Sequence, residues 1–283
     1  MIVPKCISEQ LLYNTVRIQT KNSYGTGSFF KFKIDDKNSV IVIITNKHVV
    51  NNNPREEVQF SLHTCNEKGE PDSNVEITLN AEWKFHPSQD LCYCYAADLF
   101  RATEQVCKKT AFVISNEETI VPNQMQLEDL NALEELVMVG YPVALRDEIN
   151  NYPVFRRGYT ANPPSVDFNM PGIGLVDMAC FPGSSGSPIY VLNETGYRKK
   201  SGEYVLGGQR ILLLGFLVSI PIYSAVGKMI QQALPVQQTQ IAPSIQVATN
   251  LGYYIKSSQL SAFKTMITND VLAEQAKGIN KNG

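Results

Sequence analysis

FPGSSGSP, residues 181–188, sets two adjacent serines, Ser184 and Ser185, between Gly183 and Gly186 and closes with Pro188. Such a run is either a polar surface loop or a tight turn that presents a nucleophile beside hydrogen-bond donors. A serine becomes a useful nucleophile only with a base to take its proton and donors to hold the developing oxyanion. The chain offers three histidines for the base, His48, His63 and His86, so the reading turns on them and on the texture around them.

That texture has a period of two. NTVRIQT, TGSFFKFKI, SVIVIITN, EVQFSLHT and NVEITLNAEW are short runs rich in β-branched or aromatic residues, as strands are. KNSYG, DDKNS and NNNPRE between them are turn chemistry. An acidic, proline-interrupted connector follows. Strand-like runs then resume with LVMVGYP, PVFRRGYT, GIGLVDMAC, SPIYVL, RILLLGFLVSI and NLGYYIK. The expected fold is all-β, two antiparallel six-stranded β-barrels with a C-terminal α-helix. The expected boundaries are 1–112 for the N-terminal barrel, 113–135 for the connector, 136–256 for the C-terminal barrel and 257–283 for a helix and tail. In that tail Leu260, Phe263, Met266, Ile267 and Val271 recur at helical spacing behind a serine N-cap. Two inserts interrupt the second half. Residues 193–210 read as a long polar hairpin with a solvated basic tip, Arg198 to Lys200. Residues 222–249 begin at helical spacing, break at Gln and Pro, and are expected to form a lid or rim.

With 43% hydrophobic and 18% charged residues in 283, the chain can bury a substantial core. Its 25 basic and 27 acidic residues give a net charge of −2, which makes no case for nucleic acid or an anionic membrane as partner. No uncharged apolar run approaches the roughly 18–20 residues of a membrane span, and MIVPKCISEQ has no signal-peptide core. The expectation is a soluble cytoplasmic protein. The six cysteines fit no compact disulfide framework and include no C-x-x-C pair, so they read as buried thiols in a reducing compartment. Cys92 and Cys94 in LCYCY should share one face of a strand. No metal and no cofactor is expected.

His63 in SLHTC reads as structural. His86 precedes Pro87 at a strand-to-turn boundary, and His48 follows the run Ile41 to Ile44, where a rigid element can aim a side chain. HPSQDLCYC supplies Asp90 to orient that imidazole. The α/β-hydrolase elbow G-x-S-x-G is excluded because Ser187 stands at its final glycine and βαβ alternation is missing. Cys180 lies outside the turn.

TNKHVV, HPSQDLCYC and PGSSGSP place His48, Asp90 and Ser185 in that order, 42 and 95 residues apart. In this order and texture the chain resembles the chymotrypsin-like (trypsin-like) serine peptidases over nearly its whole length. Thr45 fills the family's Thr/Ser position three residues before the histidine. Asp90 follows an HP and precedes Leu91. Gly183, Ser185, Gly186 and Pro188 satisfy G-x-S-G-x-P, and VMVGYP and NLGYYI look like strands of the family's second barrel. The resemblance implies a serine endopeptidase in which Ser185 is the nucleophile, His48 the base and then the acid, and Asp90 the group that fixes the tautomer. It implies an oxyanion hole from the N–H groups of Gly183 and Ser185, and support of the aspartate by Ser219.

The resemblance also implies a substrate pocket at Ala179, Ile220, Pro221 and Gly252. These are uncharged, so a neutral or apolar residue before the scissile bond is expected, with Asp177 the acid that a shifted register would bring in. Ser184 replaces the aspartate of zymogen-derived members, and Val49 replaces the cysteine that follows the histidine there. Both departures fit intracellular, bacterial or viral branches without zymogen activation. The expected partner is a protein or peptide substrate. The alternative reading is a partner-gated or inactive trypsin-like peptide-binding module, which would add a regulatory protein partner.

Overall fold

The computed structural model describes residues 1–142, 147–226, 244–248 and 250–279. In the N-terminal half, β1 (Thr15–Gln19), β2 (Tyr24–Lys33), β3 (Ser39–Thr45), β4 (Glu57–Cys65), β5 (Pro71–Asn80), β6 (Lys84–Phe85) and β7 (Cys92–Tyr95) form one sheet. Their order is β5-β4-β1-β2-β3-β7-β6, with β8 (Thr110–Ala111) added to β4 and β9 (Asn116–Glu117) to β2. Side chains from both flanks of this sheet, Ile77 of β5 and Cys92 of β7 among them, meet in one buried core, so the sheet wraps on itself. Its seam is closed by side chains and not by a ladder. β6 is only two residues long, and Trp83 just before it is buried, donates its backbone N–H to Pro54 O at 2.8 Å and stacks its ring on Phe60.

The second half is a closed barrel in the order β10-β11-β12-β19-β16-β13. Its strands are β10 (Glu135–Gly140), β11 (Val154–Thr160), β12 (Ile173–Met178), β13 (Pro188–Asn193), β16 (Arg210–Ser219) and β19 (Leu251–Lys256). The insert at 193–210 forms a hairpin of β14 (Gly196–Arg198) and β15 (Tyr204–Leu206). At its basic tip Lys199 pairs with Glu203 and Lys200 donates to Glu128 O. In the second insert β17 (Ile222–Val226) and β18 (Ser244–Ala248) pair antiparallel, so 222–226 is a strand where helical spacing was expected. A ladder partner decides the backbone there, overriding a short periodic signal. The rest of the expected lid, 227–243 and 249, lies outside the described residues.

Pleating distributes the central strands between cores, because successive side chains point to opposite faces. On β3, Ile43 enters the N-terminal core while Val42 and Ile44 enter a central one. On β7, Cys92 and Cys94 share the first face, as their spacing predicts, and Tyr93 takes the other. On β10, Leu136 and Met138 fill the C-terminal barrel, whereas Val137 and Val139 join the central core. Strands buried on both faces explain the nearly unbroken apolar runs in the sequence.

Helices pack around this frame. α1 (Ile7–Gln10) precedes the sheet, and α3 (Gln124–Glu128) sits in the connector behind a capping box made by Asn123 and Gln126. α2 (Ala96–Cys107) follows β7 and buries Ala96, Leu99 and Thr103, one face at helical spacing. The tail forms α4 (Leu260–Ile279), entered through a 3-10 turn at Ser257–Gln259 whose N-cap position is Lys256, with no side-chain cap. The expected serine cap is absent because the chain runs from β19 directly into the turn. No helix among the described residues is long and apolar enough to cross a membrane.

Phe263 of α4 is fully buried in the central core and meets Tyr93 and His86 edge-on at 4.9 and 5.4 Å. Phe263→Ala should therefore cost about 3–5 kcal/mol, measured by urea denaturation. A loss below about 1 kcal/mol would show that α4 is not part of the cooperative core.

Candidate active site

The stretch 181–188 is two tight turns in series. Ser184 N–H donates to Phe181 O and Ser187 N–H to Ser184 O, each at 3.0 Å. The third residue of each turn is a glycine with positive φ, Gly183 at +88° and Gly186 at +83°, where a side chain would be strained. Gly186 is also held by space, since a Cβ there would lie 2.1 Å from Thr26 O and 2.6 Å from Thr45 Oγ1. Ser184 and Ser187 are buried. Ser185 is half-exposed, which makes it the one serine of the three with a route to solvent.

The donors of this double turn divide into two sets. The N–H groups of Ser184, Gly186 and Ser187 are engaged by Phe181 O, Leu217 O and Ser184 O. Those of Gly183 and Ser185 have no acceptor among the described residues. Both therefore remain uncommitted donors within the described structure, Gly183 being buried and Ser185 half-exposed.

Thr26 on β2 fastens the turn to the other half of the molecule. Its N–H donates to Ser185 O at 2.9 Å and its hydroxyl to Gly183 O at 3.2 Å. The same hydroxyl accepts from Ser187 Oγ and from Tyr141 N–H, while its carbonyl accepts from Thr45 Oγ1 at 2.8 Å. Thr45 ends β3, three residues before His48.

His48 lies on a 3-10 turn, Lys47–Val50, anchored by the buried Val49 and Val50. Its Nδ1 is 2.6 Å from Asp90 Oδ2. A carboxylate only accepts, so Nδ1 carries the proton and Nε2 is left with its lone pair. Asp90 Oδ1 accepts from the His48 backbone N–H at 3.2 Å, and Asn46 Nδ2 donates to Asp90 O at 2.8 Å. Burial works against a charge on Asp90, but the hydrogen bond from the His48 ring, its charge, and the backbone N–H groups of His48 and Lys47 outweigh it. The carboxyl is held below its ordinary range.

His86 shapes the loop that delivers Asp90. Its Nδ1 accepts from the N–H groups of Ser88 and Gln89, and its Nε2–H donates to Gln259 O at 3.2 Å. The neutral tautomer is thus fixed by three partners. Burial, with the charge of Lys47, keeps its pKa below the ordinary histidine value despite the Gln259 carbonyl.

The structure therefore joins His48 to Asp90 and ties the Ser185 turn to β2 and β3. Among the described residues no hydrogen bond links Ser185 Oγ to His48. Ser219 sits at the exposed end of β16 opposite Tyr253 and makes no hydrogen bond to Asp90; the second carboxylate oxygen is served by the His48 N–H. Of the expected pocket, Ala179, Ile220 and Pro221 are half-buried and Gly252 is buried. A Cβ on Gly252 would lie 2.7 Å from Cys180 Sγ and 2.8 Å from Leu217 Cδ1. Asp177 is exposed on β12, opposite Tyr159. Among the described residues no group of three His, Cys, Asp or Glu could hold a metal ion.

Sequence reasoning missed Thr26 and Asn46. Both are buried polar residues whose partners lie far away in the chain, and their only local signal is a polar residue at an inward strand or strand-end position.

No family model matches this chain, and no curated protein matches it. Two solved structures align over most of its length. One is an inactive mutant form of Rv3671c from M. tuberculosis H37Rv, 12% identical, with 92% of this chain and 94% of that one covered and a TM-score of 0.39. The other is the scabies mite inactivated protease paralogue S-I1, 9% identical, with 92% and 96% covered and a TM-score of 0.46. Likenesses this distant carry no inference about the chemistry of this chain.

His63 stands apart from the site. It is buried, its Nε2–H donates to Asn150 O at 2.9 Å, and Tyr13 and Tyr152 pack on its ring. Burial pulls its pKa from 6.5 down to about 4, against the Asn150 carbonyl. Between those values the unfolded imidazole binds a proton that the folded one refuses, so stability present above pH 6.5 is lost as pH falls toward 4. The loss should reach about 3 kcal/mol, read from urea midpoints across that window. His63→Gln, which can still donate to Asn150 O, should flatten the slope. An unchanged slope in that variant would contradict the assignment.

Proposed function

We propose that the protein is a serine endopeptidase. The observation that supports this most is the double turn itself, in which the only solvent-reaching serine lies beside two unengaged N–H donors. The His48–Asp90 pair, bonded at 2.6 Å, supplies a base whose tautomer suits proton uptake at Nε2. In this reading Ser185 Oγ attacks the scissile carbonyl carbon, and its proton passes to His48 Nε2 as the C–O bond forms. The carbonyl electrons move onto oxygen, held by the N–H groups of Gly183 and Ser185. Collapse breaks the C–N bond, and His48 returns the proton to the leaving amine. Water then repeats the sequence on the acyl-enzyme. Asp90 stays ionised throughout and stabilises the imidazolium against it, and its lowered pKa suits that role.

Ala179, Ile220, Pro221 and Gly252 would line the pocket for the residue before the scissile bond, and by themselves favour a neutral side chain. Six cysteines outside any disulfide suit a reducing compartment such as the cytoplasm. One observation favours a second reading, a partner-gated form: Ser185 Oγ is not hydrogen-bonded to His48. Such bonds are often loose before substrate arrives, so the two readings divide on reactivity.

A fluorophosphonate probe at neutral pH should label the wild-type protein and not Ser185→Ala. Asp90→Asn should lower turnover by about 10³–10⁴-fold, because the amide no longer fixes the His48 tautomer. Absence of labelling in the isolated wild-type chain, with labelling restored by a binding partner, would select the gated reading.

A further inference from the structure

Arg156 is a cation with no ion-pair partner among the described residues. On β11 it alternates with the exposed Phe155, Arg157 and Tyr159 and shares the face of the buried Gly158 and Thr160. Across the ladder it pairs with Met138, which points into the C-terminal barrel. Its guanidinium carbon lies 4.6 Å from the centre of the Phe181 ring. Its Nε is shielded from solvent and has no hydrogen-bond partner among the described residues.

No Asp or Glu side chain of this chain serves Arg156. Among the described residues it forms no ion pair, and every Asp and Glu falls within those residues, since 143–146, 227–243, 249 and 280–283 contain none. Arg210 of the same barrel shows what completion looks like. It too lies over an aromatic ring, Tyr197 at 4.4 Å, but its Nη2 donates to Glu134 Oε2 at 2.7 Å and its Nε to Asn193 Oδ1 at 2.9 Å. An arginine drawn into a protein without such partners loses hydration that nothing replaces. Arg156 has the stacking ring and lacks the acid.

Its position says where that acid comes from. Phe181, under the guanidinium, opens the turn four residues before Ser185. Cys180, next to it, sets its thiol against Gly252, one of the residues assigned to the pocket. Burial pushes that thiol up to about 11, while the charge of Arg156 pulls it back. The arginine thus lies beside Phe181 and close enough to Cys180 to act on its thiol, and that thiol meets Gly252.

We propose that Arg156 binds a carboxylate on the residue before the scissile bond, so that the site selects Asp or Glu there. This rests on the peptidase reading and revises its expectation of a neutral residue, which was drawn from Ala179, Ile220, Pro221 and Gly252 with Asp177 as the charged position weighed beside them. The guanidinium fork matches a carboxylate in a bidentate pair, and the stacked Phe181 ring holds the fork in place.

The test compares peptide substrates that differ only in Glu against Gln, or Asp against Asn, before the cleaved bond. Wild type should favour the acid by about 10–100-fold in kcat/KM, the span of a charged hydrogen bond. Arg156→Gln should bring the ratio near one and Arg156→Lys should retain part of it, with melting curves verifying that both variants fold. A wild-type ratio near one, or a ratio unchanged in Arg156→Gln, overturns the proposal. So does a preference that follows a free C-terminal carboxylate, tested with amidated peptides, and not the side chain. Fluorophosphonate labelling of wild type separates the two failures, since that probe carries no peptide side chain. Labelling without acid preference sinks this inference alone; neither labelling nor cleavage of any peptide sinks the peptidase reading and this inference with it.

Discussion

The hydrogen bonds converging on Thr26 hold the two halves of the candidate site in one register. Its N–H and hydroxyl fix the carbonyls of Ser185 and Gly183, and its own carbonyl accepts from Thr45 at the end of β3. Thr45 and Ser185 belong to different halves of the chain, and the turns bearing His48 and Ser185 have no other described link of this kind. The contact is buried, so each bond is expensive to lose, because a stranded polar group there cannot turn to water. Gly186 lets the backbones approach this closely, and Tyr141 and Ser187 complete the hydroxyl's partners.

A second constraint places the acid. The loop to Asp90 is closed by the ring of His86, which accepts two loop N–H groups and donates to Gln259 O at the entrance to α4. Phe263 of that helix packs on the same ring and on Tyr93. A C-terminal helix packed into the central core thus bears on the loop that orients His48. Packing reaches the proposed chemistry through two histidines, one structural and one proposed as base.

Much of this was legible in the sequence because it is local. Period-two runs marked the strands, and glycines at 183 and 186 marked the turn that their positive φ now explains. Spacing placed Cys92 and Cys94 on one face. Less legible was α2, which follows β7 without a break and has no side-chain cap at Tyr95 to mark its start. Residues 222–226 have helical spacing but pair as a strand, since periodicity over so few residues cannot outweigh a ladder. Thr26, Asn46 and Arg156 gave no signal of their role, because their meaning depends on partners brought in by topology. For Arg156 it depends on a partner that topology withholds.

The central claim is that Thr26 positions the nucleophile turn against the His48 side of the site. Thr26→Val keeps shape and burial while removing the hydroxyl, so the direct measurement is the rate of fluorophosphonate reaction at Ser185 in that variant. The account gives a folded protein whose reaction is slowed by about 100-fold, the scale of an ångström-level misplacement. A folded Thr26→Val protein reacting as fast as wild type would contradict it.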